Sequence, residues 1–139
     1  MSAASAGLFD FGGDKLSQTY KFDGFTLNLP QNAEVVPTNH THQSSKGVYN
    51  GVEYEIKSDS QNFTVSVDKG EGIGENITEY ISIWEEDGAT NEGSYGDWSI
   101  MKLANGKYRL AKFEGSTVIT ISGNNLDFLK NVTDTYKKI

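Results

Sequence analysis

The segment Asn62–Trp84, NFTVSVDKGEGIGENITEYISIW, runs from an alternating strand through a glycine-rich loop into an amphipathic helix. Parallel nucleotide-binding folds build their phosphate cradle in that order, so this stretch decides between a parallel α/β enzyme and an antiparallel domain. The loop glycines are Gly70, Gly72 and Gly74, whereas the dinucleotide fingerprint G-x-G-x-x-G needs its third glycine one residue later. The loop also ends in Glu75 and Asn76, where the other phosphate loop requires a lysine and a hydroxyl. Asp68, Glu71 and Glu75 would confront an anion at the helix N-terminus with only Lys69 to offset them. The segment is therefore read as a turn whose Asn76 caps the helix, with Glu79 as its capping-box partner.

The rest of the chain agrees with a non-nucleotide reading. A formal charge of −7 over 139 residues, with a pI near 4.7 and no Lys/Arg cluster, leaves no basic footprint for nucleic acid or an anionic membrane. No apolar run approaches the roughly 18 residues of a membrane span. The absence of cysteine excludes disulfides, thiol catalysis and a lipid anchor on an N-terminal cysteine. Ala4-Ser5-Ala6 has the small-x-small pattern of a secretory cleavage site, so residues 1–15 are expected to be a trimmed signal-peptide end and flexible leader, carrying Phe9 and Phe11. Residues 16–139 are expected to form one domain, secreted or otherwise outside the cytoplasm.

Strand signals dominate that domain. Phe25, Leu27 and Leu29 alternate with Thr26 and Asn28 behind Asp23-Gly24, and Pro30 ends the run. Val52, Tyr54 and Ile56 oppose Glu53, Glu55 and Lys57 behind Asn50-Gly51, read as a second hairpin turn. Ile77, Tyr80, Ile81 and Trp84 make the apolar stripe of a helix that stops at Asp87-Gly88. After a loop, ATNEGSYG, come three strands joined at Asn105-Gly106 and Glu114-Gly115. A final helix begins at an Asn124 or Asn125 cap and sets Leu126, Leu129, Val132 and Tyr136 along one side, with Lys137 and Lys138 at the negative end of its dipole. The expectation is an α+β domain: one antiparallel sheet of six to seven strands, carrying Leu27, Tyr54, Val65, Ile100 and Leu110, covered by two helices.

The stretch Tyr20–Val35, YKFDGFTLNLPQNAEV, with Gly24, Phe25, Leu27, Leu29 and Pro30, resembles the opening of PsbP-like domains and of small exported archaeal proteins of unknown function. The resemblance extends in order of elements from Tyr20 to Ile139. It implies an antiparallel sheet covered by helices, and a non-catalytic accessory or assembly role on an extracytoplasmic face.

Candidates for chemistry are few. His40 and His42 are the only histidines, and their i, i+2 spacing on an extended segment would put both imidazoles on one side, as a zinc pair requires, with Glu53 or Glu55 as a third donor. Glu53/Glu55 and Glu85/Glu86/Asp87 are carboxylate groupings of the kind glycosidases use, although acidic residues on strand faces and helix ends ordinarily serve solvation. Asp87, Asn91 and Glu92 offer oxygen ligands for calcium outside the register of the helix-loop-helix site. No G-x-S-x-G elbow is present. Among the sequons, Asn39 and Asn62 are the acceptors on plausible loop or strand sites. Tyr95 and Trp98 flank SYGDW and would form an adhesive aromatic surface, unless Trp98 begins a strand and packs inward. The expected function is a non-enzymatic extracytoplasmic binding or assembly module, without cofactor, whose partner is a protein or cell-surface component. A small carboxylate- or metal-dependent enzyme is the alternative.

Overall fold

The computed structural model describes residues 15–44, 47–59, 61–70 and 77–139. The leader with Phe9 and Phe11, most of the acidic glycine loop and the Asn76 cap lie outside the described residues. The elements are β1 (Leu16–Lys21), β2 (Phe25–Pro30), β3 (Glu34–Ser44), β4 (Gly47–Lys57), β5 (Asn62–Lys69), α1 (Ile77–Glu86), β6 (Thr90–Tyr95), β7 (Trp98–Lys102), β8 (Tyr108–Glu114), β9 (Thr117–Gly123), α2 (Leu126–Thr133) and β10 (Lys137–Lys138). A seven-stranded sheet has the order β3-β4-β5-β9-β8-β7-β6, and a three-stranded sheet the order β1-β2-β10; every pairing is antiparallel.

This corrects the expected α+β architecture. The chain is mostly β, and its two described helices, of 10 and 8 residues, are too short to cover a seven-stranded sheet. The small sheet does much of the covering: Leu16, Phe22, Phe25, Leu27 and Leu29 join Ile56, Phe63, Val65, Val67, Ile100, Leu110 and Ile121 in one core, which α2 completes with Phe128, Leu129 and Val132. Leu27 thus belongs to the covering sheet rather than the main one. On the opposite face the described packing lies over β7, β8 and β9, where Tyr80 and Trp84 of α1 meet Met101, Ala111 and Val118.

Three segments read as irregular or helical are strands. Residues 34–44, taken for an extended polar loop, pair with β4 along its whole length, from Glu34↔Lys57 to Ser44↔Gly47. This places Asn50-Gly51 inside β4 rather than at a hairpin turn. ATNEGSYG forms the edge strand β6, bulged between Asn91 and Ser94. The last helix ends at Thr133, where Thr133 Oγ1 and Thr135 Oγ1 each donate to a carbonyl three residues back, at 2.6 Å. Lys137 and Lys138 then pair with Thr26 and Phe25 of β2 instead of continuing the helix.

Other expectations match the local geometry. Asn125 caps α2, its Oδ1 accepting from Phe128 N at 3.1 Å. The end of α1 closes with Ala89 N donating to Trp84 O, 3.0 Å, around Gly88 at φ +99°. Along β5, Phe63, Val65 and Val67 are buried in the core, while across β4 Glu53 and Glu55 stay exposed.

The C-terminus fastens the two sheets together. The Tyr136 ring stacks on Phe25 of the small sheet at 5.5 Å and meets Trp98 of the large sheet edge-on at 5.8 Å. Its hydroxyl donates to Glu114 Oε2 at 3.0 Å, and Lys138 Nζ donates to Glu114 Oε1 at 2.9 Å. Those two contacts hold the Glu114 carboxyl below its usual range. Burial, together with the bond to Glu114, pushes the Tyr136 phenol up to about 12. Because the folded value exceeds the ordinary 10.0, this phenol contributes stability that is fully present below pH 10 and is lost as pH rises toward about 12. Tyr136→Phe should therefore lose less stability than the wild type between those pH values in urea denaturation; parallel losses would show that the fastening does not depend on this proton.

Candidate functional site

The strands that bury Phe63, Val65 and Val67 on one face carry a different set on the other. Pairing aligns that set into rows: Gly51 beside Asp68, Glu53 beside Ser66 and Thr120, and Glu55 beside Thr64, Ser122 and Arg109. Where α1 stops short of this polar surface, a cavity of about 430 Å³ remains. His40 and Glu53 bound it on one side, Tyr80, Trp84 and Asp87 from α1 and its end on the other, and hydroxyls of Thr64, Ser66, Thr120 and Ser122 form the floor.

One wall rests on a contact across a whole strand. His40 on β3 reaches over Gly51 on β4 to Asp68 on β5, with Nε2 2.7 Å from Oδ1. A Cβ at position 51 would lie 1.9 Å from that carboxylate oxygen and 2.9 Å from the imidazole, so only glycine leaves the path open. The other carboxylate oxygen of Asp68 accepts from the Tyr80 hydroxyl at 3.0 Å. Asp68 is thereby a buried carboxylate with a donor on each oxygen, as burial of charge requires. Since a carboxylate only accepts, Nε2 of His40 carries the proton.

Arg109 is the uncommitted group. Its Nε donates to Ser122 Oγ at 3.2 Å, and its guanidinium lies 5.0 Å from the centre of the Trp84 ring. No described carboxylate forms an ion pair with it, and among the described residues no buried side-chain nitrogen or oxygen lacks a partner, so its two terminal nitrogens, which hold no hydrogen bond to a described residue, reach solvent in the cavity they line. Burial pushes the Arg109 pKa below its ordinary value, against the opposing pull of Tyr80, Asp68, Glu53 and Asp87. The result is a cation partly withdrawn from water and held over an indole, with its fork not engaged by a described carboxylate. Beneath it, Ser66 and Thr120 hydrogen-bond to each other across the strands.

Of the residues singled out in the sequence, His40 and Glu53 line this one cavity. His42 sits opposite Tyr49 in the register, and its side chain is outside the described residues. Among the described residues no group of three or more His, Cys, Asp or Glu side chains is placed to hold a metal ion. Asp87 lines the cavity, whereas Asn91 is on the edge strand, its Oδ1 accepting from Gly93 N at 2.9 Å. Trp98 is corrected as a surface residue: it is 6% exposed and packs in the core against Tyr136. Tyr95 is half-buried, its hydroxyl bonded to Asp134 at 2.9 Å and its ring under Lys130 Nζ at 5.3 Å, so the pair forms no joint aromatic surface.

Arg109, Asp68, Tyr80 and Gly51 were not anticipated as a group. Arg109 carried one signal, a charge on the same face of an alternating strand as Ala111 and Phe113. A second cavity, about 420 Å³, lies on the other side of the β3–β4 edge and is lined by Asp23, Tyr54 and Lys69 among others. There Lys69 is already paired with Asp23 at 2.5 Å, so it offers no comparable free charge.

Gly51→Ala should lower the unfolding free energy by about 1–3 kcal/mol, as expected of overpacking. Adding His40→Ala to that variant should cost little more in urea denaturation, because the contact with Asp68 is already broken; fully additive losses would show the two positions to be independent. Comparison of the chain with protein-family models, curated proteins and solved structures finds no match, so the functional reading rests on the cavity itself.

Proposed function

We propose that this protein is a non-enzymatic binding module acting outside the cytoplasm, and that it receives a small polar solute in the cavity beneath α1. The observation that carries this reading is the Arg109 fork, fixed by Trp84 and Ser122 yet unpaired, opening onto a cavity floored by hydroxyls. Ligand sites combine such a concavity with a few convergent polar groups. The small-x-small pattern at Ala4-Ser5-Ala6 supports export, and the PsbP-like run from Gly24 to Pro30 points to the same non-catalytic class.

A small acid–base enzyme is the second reading, and one arrangement favours it: the chain Tyr80–Asp68–His40, which would orient an imidazole as a general base. Among the described residues, however, no hydroxyl is hydrogen-bonded to His40, so the imidazole has no adjacent nucleophile to activate.

Differential scanning fluorimetry against a library of small polar metabolites separates the two. At least one solute should raise the melting temperature and be recovered chemically unchanged by NMR. Thr64→Trp, which fills the cavity from its floor, should abolish the shift. Chemical conversion of the solute would favour the enzyme, and a shift that survives Thr64→Trp would place the site elsewhere.

A further inference from the structure

The charges around the cavity narrow the solute. Its lining carries three carboxylates, Glu53, Asp68 and Asp87, against two fixed cations, Lys107 and Arg109. Asp68 is internally satisfied by His40 and Tyr80. Glu53 is exposed and makes no ion pair with a described residue. Glu53 stands on β4 and Arg109 on β8, three strand spacings apart across the sheet and two residues apart along it, about 16 Å at the backbone. Arg109 leans back over β9 to Ser122, which brings its guanidinium toward the middle of the floor. Between the two charges lie only hydroxyl side chains, Ser66 and Thr120 in the row of Glu53 and Thr64 and Ser122 in the row of Arg109.

A planar guanidinium fork matches a carboxylate or a phosphate. The surrounding carboxylates discriminate between them: a phosphate dianion would bring two charges among carboxylates that outnumber the fixed cations, whereas a carboxylate brings one. A positive group on the same ligand removes even that addition if it lies toward Glu53. We propose, building on the binding-module reading above, that the solute is a small zwitterion of the amino-acid class, its carboxylate on Arg109 and its ammonium directed to Glu53.

The floor then receives whichever ligand hydrogens the charged ends leave over, and the Trp84 ring is also engaged by Tyr80, edge-on at 5.1 Å, and by Phe113 at 6.1 Å. Specificity therefore lies in the two charged ends of the ligand rather than in its side chain. A compact amino acid is preferred to one with a bulky aromatic group, because α1 bounds the cavity on the Trp84 side.

The test uses the full chain and two series of probes, the common L-amino acids with 4-aminobutyrate and glycine betaine, and the corresponding amino-acid amides, N-acetyl amino acids and inorganic phosphate. Binding is read by melting temperature and isothermal titration at roughly 10 mM probe, enough to occupy a millimolar site. At least one free amino acid should bind, and its amide and N-acetyl derivatives should each bind at least about tenfold more weakly. Arg109→Lys, which keeps the charge but loses the fork, and Glu53→Gln should weaken binding to a similar degree; circular dichroism establishes that each variant is folded. Because the ligand derivatives probe the wild-type protein, the inference stays testable even if Arg109→Lys does not fold. Equal binding of acid and amide, tighter binding of phosphate, or no binding of any zwitterion would overturn it. If uncharged solutes from the metabolite library bind while zwitterions do not, the ligand class fails and the binding-module reading stands; if nothing binds, both fail.

Discussion

Burial of Phe63, Val65 and Val67 on one face of β5 determines what its other face can be. The side-chain period of a strand is two, so Thr64, Ser66 and Asp68 must point the opposite way, and a slip of one residue would drive three polar groups into the core. β4 and β9 are locked to the same register on either side. The rows of the cavity floor are thus a consequence of core packing on the reverse side of the sheet. The site is as rigid as the core that sets its register.

How the sheet is covered decides where that polar face stays open. A small sheet and α2 lie over the apolar side, and the final residues fasten them through Tyr136, Glu114 and β10. Among the described residues the other side receives α1, whose Tyr80 and Trp84 bury Met101, Ala111 and Val118 over β7 to β9. Beyond the reach of a 10-residue helix the side chains turn polar, because water rather than protein meets them there. The cavity lies at that boundary, where Trp84 and Tyr80 act both as core and as wall.

The contents of the boundary follow from the cost of burying charge. Asp68 is buried and has donors on both carboxylate oxygens, and every buried side-chain nitrogen or oxygen among the described residues has a partner. Arg109 differs in that its anchoring contacts, to Ser122 and Trp84, use one edge and one ring face and leave the fork without an anion. An incompletely partnered cation inside an otherwise satisfied polar network is where a ligand contributes most, since the desolvation of the guanidinium has already occurred on folding.

Much of the local structure was legible in the residues themselves. The alternation at Phe25–Leu29 and Phe63–Val67, the turns at Asn105-Gly106 and Glu114-Gly115, the stripe of α1 and the Asn125 cap all arise from interactions a few residues apart, which a linear pattern records. What escaped depends on distant segments. Gly51 looks like a turn glycine but serves a histidine and an aspartate from two other strands; Trp98 looks like a loop aromatic but is held inside by Tyr136; Lys137 and Lys138 continue a helical charge pattern but pair with β2 because its edge is unfilled. The sequence by itself determined the alternating strands β2, β5 and β7 to β9, their inward faces and the absence of a phosphate cradle pattern, since these follow from period and spacing. Only the tertiary structure decided that a second sheet would cover the first and that Arg109, Asp68, Tyr80 and His40 would meet around one cavity, because side-chain contacts across strands depend on register and layer order, which no local window contains.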